Sequence, residues 1–397
     1  MQFSKDVEQI APSLTLSIVD RAKKMRAQGI DVISFGAGEP DFDTPNNIKI
    51  AAIKAINDGM TKYTASSGIV ELKLSIANKF AIDNNLIYSK EQIIVSAGAK
   101  QSLFYALSAI LNPGDEVLIS VPFWLSYPAL VTLSKGVPIL VNSNEATNYK
   151  YDLHTLNNYI TSKTKVLILN TPNNPTGSIY SIEELIQIAE FAKEKDLIII
   201  SDEIYEKLIY DGKKHISIAS LSEDAYRRTI VINGVSKTYA MTGWRIGYAA
   251  ASEEIIKLMT TIQSHCASNP NTIAQYAALE ALSGDQSFIL EMVGEFEKRR
   301  NYMIETINKI DNVNCIRALG AFYIMMDISK ILGKSFNGNT INNSVDFSNI
   351  LLENYSVAVV PGVAFGMDNF VRLSYAASMD NIIDGLGKIS TFLHKIC

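Results

Sequence analysis

Six short apolar runs, mostly β-branched, constrain this chain more than any other feature. They fall at 92–96 (QIIVS), 116–121 (EVLISV), 165–170 (KVLILN), 197–201 (LIIIS), 229–233 (TIVIN) and 246–250 (IGYAA). None alternates apolar with polar residues. A strand with one face in water must alternate, because successive side chains point to opposite sides; a continuous apolar strand needs cover on both faces. Helical patterns lie between several of the runs, at 100–111, 181–195 and 252–263, and Ser181 with Glu184 makes a capping box at the start of the second. Strands alternating with helices imply parallel neighbours with helices packed on the sheet faces. The expected fold class is α/β with a mostly parallel sheet from about residue 48 to 285.

Beyond residue 285 the texture changes. Residues 286–310 read as one long charged helix, followed by 320–327 (GAFYIMMD), an Asn-rich polar loop at 335–344 and a short apolar run at 357–360. This α+β tail is expected to fold with the N-terminal helix and loop. The reading is a small domain of 1–47 and 286–397 beside a large domain of 48–285. Clefts between domains, and the C-terminal ends of parallel strands, are where ligands bind.

Composition narrows the function classes. Of the 397 residues 47% are hydrophobic and 19% charged, enough apolar surface to exclude a disordered chain. Lys+Arg 36 against Asp+Glu 41 leaves −5, so no basic field favours nucleic acid. Cys266, Cys315 and Cys397 are too few and scattered for a disulfide framework or a zinc site, no other metal site is expected, and the thiols read as reduced in a cytoplasmic chain. No run approaches the ~18–20 apolar residues of a membrane helix. Residues 1–20 carry Lys5, Asp6 and Glu8 ahead of any apolar stretch, unlike a signal peptide. The apolar excess is expected in a large core or a subunit interface.

Four clusters at strand ends carry chemistry-bearing residues. In 170–177 (NTPNNPTG), Asn173 and Asn174 can offer amides into a cleft, although the same letters make a plain turn. In 201–205 (SDEIY), Asp202 ends an apolar strand and needs a cation or donor there, with Tyr205 in reach; a helix N-cap is the plain alternative. In 233–247 (NGVSKTYAMTGWRIG), Lys237 stands among small uncharged residues, where desolvation lowers an amine's pKa and makes it a nucleophile. Arg245, between Gly243 and Gly247, suits a phosphate or carboxylate; a surface lysine and a structural arginine are the alternatives. In 96–101 (SAGAKQ), small residues lead into a helix whose N-terminal amides, at Gly98, Ala99 and Lys100, form an anion site, without the P-loop pattern. An anion nest, an isolated lysine, a buried aspartate and an arginine together suit pyridoxal 5′-phosphate, which needs an imine-forming amine, a carboxylate at its ring nitrogen and a phosphate site. Trp124, in 121–127 (VPFWLSY), can stack on such a ring or fill a core.

With these residues in order, the sequence resembles the class I aminotransferases, which are fold type I pyridoxal-phosphate enzymes. It is most similar to the bacterial-type aspartate and aspartate/prephenate branch. The resemblance rests on 36–45 (GAGEPDFDTP), 172–177 (PNNPTG), 201–206 (SDEIYE), 236–247 (SKTYAMTGWRIG) and 371–375 (VRLSY). It implies a seven-stranded, mostly parallel sheet between helices in the large domain. It further implies that Lys237 forms the imine and carries the proton at the substrate Cα, while Asp202 pairs with the ring nitrogen. Asn174 and Tyr205 hold the phenolate oxygen, and Trp124 stacks on the ring. Gly98, Ala99, Lys100, Ser236 and Arg245 take the phosphate, joined by Tyr63 from a second subunit, hence a homodimer with shared sites. Arg372 binds the substrate α-carboxylate near the Gly38 backbone, with Trp124 and Asn174 alongside.

The implied reaction is ping-pong transamination of L-aspartate and 2-oxoglutarate to oxaloacetate and L-glutamate. An aromatic or prephenate aminotransferase, a pyridoxal-phosphate lyase on the same fold, and a non-catalytic nucleotide-binding protein are the competing readings; the last has no use for Lys237. Several positions depart from family patterns. The arginine that binds a side-chain carboxylate in animal-type enzymes, six residues before Pro270, is Ser264, which leaves that role to Lys100. A lysine before Pro12 in prephenate-active members is Ala11, and a serine three before Lys237 is Gly234, with Ser236 to compensate. His265 and Cys266 are expected in a loop approaching the neighbouring site.

Overall fold

The computed structural model describes residues 4–8, 10 and 14–396. All six runs are strands, and a seventh joins them: β1 Ile93–Ser96, β2 Glu116–Ser120, β3 Val137–Val141, β4 Thr164–Asn170, β5 Ile198–Asp202, β6 Thr229–Gly234 and β7 Gly247–Ala250. They form one sheet in the order β1-β7-β6-β5-β4-β2-β3. The β2–β3, β2–β4, β4–β5 and β5–β6 pairs are parallel; β7 runs antiparallel to both neighbours.

The continuous apolar runs have the cause expected of them. In β4, Ile168 packs into one core cluster with Ile119, Ile200 and Ile232, while Leu167 and Leu169 pack into another with Leu118 and Ile199 on the opposite face. Each such side chain contributes roughly 1.5–3 kcal/mol on burial. β3 escaped the sequence reading because Pro138 interrupts it. A proline lacks the N–H a central strand must donate, but β3 is an edge strand, where that loss is tolerated.

Four further strands, Asn314–Cys315, Tyr323–Asp327, Val360–Pro361 and Phe370–Ser374, make an antiparallel sheet packed with the helices Ser287–Ile307, Ser344–Tyr355 and Met379–His394. The N-terminal strand Ile33–Ser34 pairs with Val357–Ala358, tying the start of the chain to its end.

Three details correct the sequence reading. The long helix stops at Ile307 rather than Ile310. The 335–344 stretch is not a plain loop: Ser335–Phe336 and Asn339–Thr340 form a hairpin whose turn residues, Asn337 and Gly338, both have positive φ. Asn-Gly is the dipeptide that suits this turn. The helix expected to end at Gln263 runs over Glu253–Cys266, so His265 and Cys266 occupy its exposed last turn and not a loop. Gln263 is buried and donates to the carbonyls of Ser66 and Val95, which pins that turn; the chain leaves the helix only at Ala267, before Pro270. Among the described residues no helix is long and apolar enough to cross a membrane.

Candidate active site

The C-terminal ends of β4, β5 and β6 open into a cavity of about 480 Å³. In register there, Asn170 of β4 stands beside Asp202 of β5. Asp202 is almost fully buried. Its Oδ2 accepts from the Tyr127 hydroxyl at 2.7 Å and its Oδ1 from the Ile204 amide at 3.3 Å. Burial dominates and pushes the carboxyl up to about 6, against the pull of those two donors. The N-cap alternative is thus half right: one oxygen caps the turn after β5, and the side chain still lines the cavity.

Lys237 follows β6 and lines the same space, with Nζ donating to the Gly38 carbonyl at 2.5 Å. Burial lowers its amine to about 8, opposed by the Glu39 carboxylate. At one end of the cavity the helix Ala99–Ile110 begins, with Gly98 before it at φ +91°. The Arg245 guanidinium packs onto Gly98 and donates to the carbonyls of Thr242 (3.0 Å) and Ala97 (3.2 Å). A side chain at Gly98 would collide with that guanidinium, and one at Gly247 with the Ala99 amide, so both glycines let the guanidinium and the end of β7 pack closely on the helix N-terminus. Ser236, Ala99 and Lys100 line this end; Gly98 caps the helix and does not itself line the cavity.

At the other end Arg372 is 2% exposed. Its Nη1 donates to Asn174 Oδ1 at 2.9 Å, its plane lies 4.1 Å from the Tyr323 ring centroid, and its buried Nε has no partner. The Tyr205 and Tyr323 hydroxyls are 3.1 Å apart. The Lys100 ammonium sits 4.9 Å above the Trp124 ring, and Trp124 meets Tyr127 edge-on. Burial and the charge of Arg245 lower the Lys100 amine.

The electrostatic contrast is sharp. Among the described residues Lys100, Lys237, Arg245 and Arg372 form no ion pair, although all four line one cavity. Of the four only Arg372 is fully buried, while Lys237 is half-buried and Lys100 and Arg245 are exposed; the other buried cations, Lys79, Arg299 and Arg300, each have a carboxylate. A buried charge without a counter-charge is costly, so Arg372 calls for an anion, and three further cations facing the same space favour an anionic ligand there.

The structure gathers Gly38, Ala99, Lys100, Trp124, Asn174, Asp202, Tyr205, Ser236, Lys237, Arg245 and Arg372 around this space. Tyr63 is elsewhere, 89% exposed on the outer surface. Ser264 is exposed in its helix, bonded to the Thr261 carbonyl. Gly234 packs against Gly247, where an added Cβ would stand 3.0 Å from its Cα. Ala11 lies outside the described residues.

Residues 30–385 match the family described as aminotransferase class I and II. The chain belongs to that family. A relative named aspartate aminotransferase, from Bacillus sp. (strain YM-2), is 48% identical over 98% of each chain. One named "Probable aspartate/prephenate aminotransferase", from Rickettsia bellii (strain RML369-C), is 47% identical over 96% of each. The crystal structure of the aspartate aminotransferase from Rhizobium meliloti superposes with a TM-score of 0.96 at 40% identity, covering 100% of both chains.

Other residues that the sequence did not single out hold the groups of this cavity in place. Tyr127 holds Asp202. Asn170 donates to the Asp202 carbonyl at 3.0 Å and accepts the Asn174 amide at 2.9 Å. Tyr323 stacks on Arg372. Glu39 lines the cavity and accepts from Thr242 Oγ1 at 2.7 Å. Tyr127 and Asn170 stood inside stretches already marked. Nothing in the local pattern separates Tyr323 from a core tyrosine, since its role depends on a residue 49 positions away.

Proposed function

We propose that this aminotransferase holds pyridoxal 5′-phosphate in the cavity and exchanges the amino group between L-aspartate and 2-oxoglutarate, yielding oxaloacetate and L-glutamate in a ping-pong cycle. The observation that carries the reading is the set of four unpaired cations around one buried carboxylate. A phosphate suits the N-terminus of the helix Ala99–Ile110, where the Arg245 guanidinium packs onto Gly98. When bound, the cofactor supplies an aldehyde carbon and a ring that accepts electrons.

The chain's own groups do the rest. Lys237, with its amine near 8, has a neutral fraction at physiological pH and is the nucleophile; afterwards it holds the proton moved at the substrate Cα. Asp202, near 6, is mostly ionised at pH 7 and attracts a protonated ring nitrogen. Asn174 gives its Oδ1 to Arg372, which leaves its amide N–H groups, with the Tyr205 hydroxyl, for the phenolate oxygen. Gly98, Ala99 and Lys100 offer backbone amides, and Ser236 and Arg245 side chains, to the phosphate; Trp124 covers the ring. Arg372 presents a planar fork to the α-carboxylate beside Gly38. Lys100 meets the side-chain carboxylate, a role in keeping with the names of the relatives. Tyr63 serves the site of a second copy, in a homodimer. Its exposure supports this, as does the exposed face of Ile50, Ile53 and Ile56 on the helix Asn46–Asn57. The free Cys266 and Cys315 agree with work in the cytoplasm.

Two measurements test the reading. Protein supplied with pyridoxal phosphate should gain visible absorbance, and borohydride should fix the cofactor to Lys237. A colourless protein overturns the proposal. Steady-state rates with aspartate, glutamate, tyrosine, phenylalanine and prephenate then rank the donors, and a preference for prephenate would move the assignment to the branch of the Rickettsia relative.

A further inference from the structure

A second polar cluster lies behind the turn that follows β5. Within 201–206 (SDEIYE), Asp202 and Tyr205 line the cavity, whereas Glu203 and Glu206 do not. Both glutamates are buried, at 0% and 6% exposure. Glu203 Oε1 accepts from Ser201 Oγ at 2.8 Å and Ser217 Oγ at 2.7 Å, and its Oε2 meets His215 Nε2 at 2.8 Å. Glu206 pairs with the Lys79 ammonium and accepts from Asn84 Nδ2 at 2.8 Å; Lys79 also donates to Asn84 Oδ1 at 2.6 Å. Asp83 stands 3.8 Å from Lys79, and the Tyr88, Tyr239 and Tyr248 phenols feel these carboxylates.

The ligand atoms of Glu203, Glu206 and His215 lie within 4.8 Å of one another, a spacing that could suit a metal ion. Here Lys79 already supplies the cation and the hydroxyls already serve Glu203, so the cluster is self-contained. Stability is a weak reason for it, because apolar side chains of the same volume often stabilise a fold as well as a buried ion pair does. Its place is a stronger one. The turn is short, with Glu206 N bonded to Glu203 O and Leu208 N to Tyr205 O. Fixing residues 203 and 206 from behind therefore fixes 202 and 205 in front.

We propose that Glu203 and Glu206 are positioning residues: tied by His215, Ser217, Lys79 and Asn84 on the reverse face, they set where Asp202 and Tyr205 stand in the cavity. This rests on the pyridoxal-phosphate reading above. The test uses Glu203→Gln, which keeps the shape but loses the charge, and the double variant Lys79→Met/Glu206→Met, which leaves no buried charge unpaired. Ile76→Ala, a fully buried residue of the neighbouring core outside the cluster, serves as the comparison. Each is checked by thermal unfolding, loaded with pyridoxal phosphate, and read by visible circular dichroism per bound cofactor and by the cofactor dissociation constant.

Both cluster variants should bind about tenfold more weakly and lose about half or more of the dichroism, as expected when the groups that orient a ligand are removed. Ile76→Ala should lose thermal stability and keep both properties. Wild-type dichroism and affinity in the folded cluster variants overturn the proposal. So does an equal loss in Ile76→Ala, or failure of both cluster variants to fold, which would make the cluster purely structural. A wild-type protein that takes up no pyridoxal phosphate overturns the functional reading, and this one with it.

Discussion

Tyr127→Phe isolates the electrostatics of the cavity. The phenol donates to Asp202 Oδ2 at 2.7 Å, and burial with the neighbouring carboxylate holds it well above its ordinary value, so it remains a donor at every working pH. Asp202 stands near 6 with this bond in place. A hydrogen bond to a charged group contributes about 1.5–3 kcal/mol, and one pKa unit is ~1.4 kcal/mol, so its loss should raise the carboxyl by about one to two units. The Asp202 pKa would then reach or pass neutrality, and about half or more of the apoprotein would hold it protonated at pH 7. The assay is the affinity of the apoprotein for pyridoxal phosphate as a function of pH. Wild-type affinity should fall as pH drops through about 6. In Tyr127→Phe the same fall should begin one to two units higher by the same estimate. Stability has the opposite sign. A carboxyl raised above its unfolded value binds more protons in the native state, so apoprotein stability declines as pH rises from about 4 through about 6, by about 3 kcal/mol. A Tyr127→Phe affinity profile that overlays the wild type refutes the reasoning, because the phenol would then have no hold on the carboxylate.

Other outcomes follow from the same geometry. Lys100→Ala should weaken kcat/KM for aspartate by about 2–3 kcal/mol and leave phenylalanine nearly untouched; an equal loss for both would remove Lys100 from the side-chain role. Gly98→Ala meets both a positive φ of 91° and the Arg245 guanidinium, so it should cost about 1–3 kcal/mol in chemical denaturation and lower affinity for inorganic phosphate as well as for the cofactor. Arg372→Lys loses the planar fork, and KM for the amino donor should rise about tenfold to a hundredfold in steady-state assays. The rate of cofactor capture should climb as pH rises through about 8, where the Lys237 amine sheds its proton, and stopped-flow absorbance reads that rate directly.

Much of this was legible in the chain because its causes are local. Continuous runs such as 165–170 can be strands only if both faces are covered, and the structure covers them. Ser181 and Glu184 meet as a capping box should, with Glu184 Oε2 accepting the Ser181 amide at 2.7 Å. Lys237 stood out because its neighbours in sequence carry no charge. What escaped was of another kind. β3 was hidden because proline forbids a central strand but not an edge strand, and edges are known only once the strands are ordered. The end of the helix Glu253–Cys266 was hidden because Gln263 is anchored by carbonyls at 66 and 95.

By itself the sequence determined that a sheet covered on both sides exists, which strand ends carry polar residues, and that Lys237 and Arg245 stand in a stretch with few other charges. Only the tertiary structure decided that these groups share one cavity, that its four cations form no ion pair with a carboxylate, and that the Tyr127 hydroxyl bonds to Asp202. The reason is physical. Periodicity and desolvation by near neighbours are written in adjacent residues. Charge compensation depends on distances between side chains that are tens to hundreds of positions apart, and only the folded chain sets those distances.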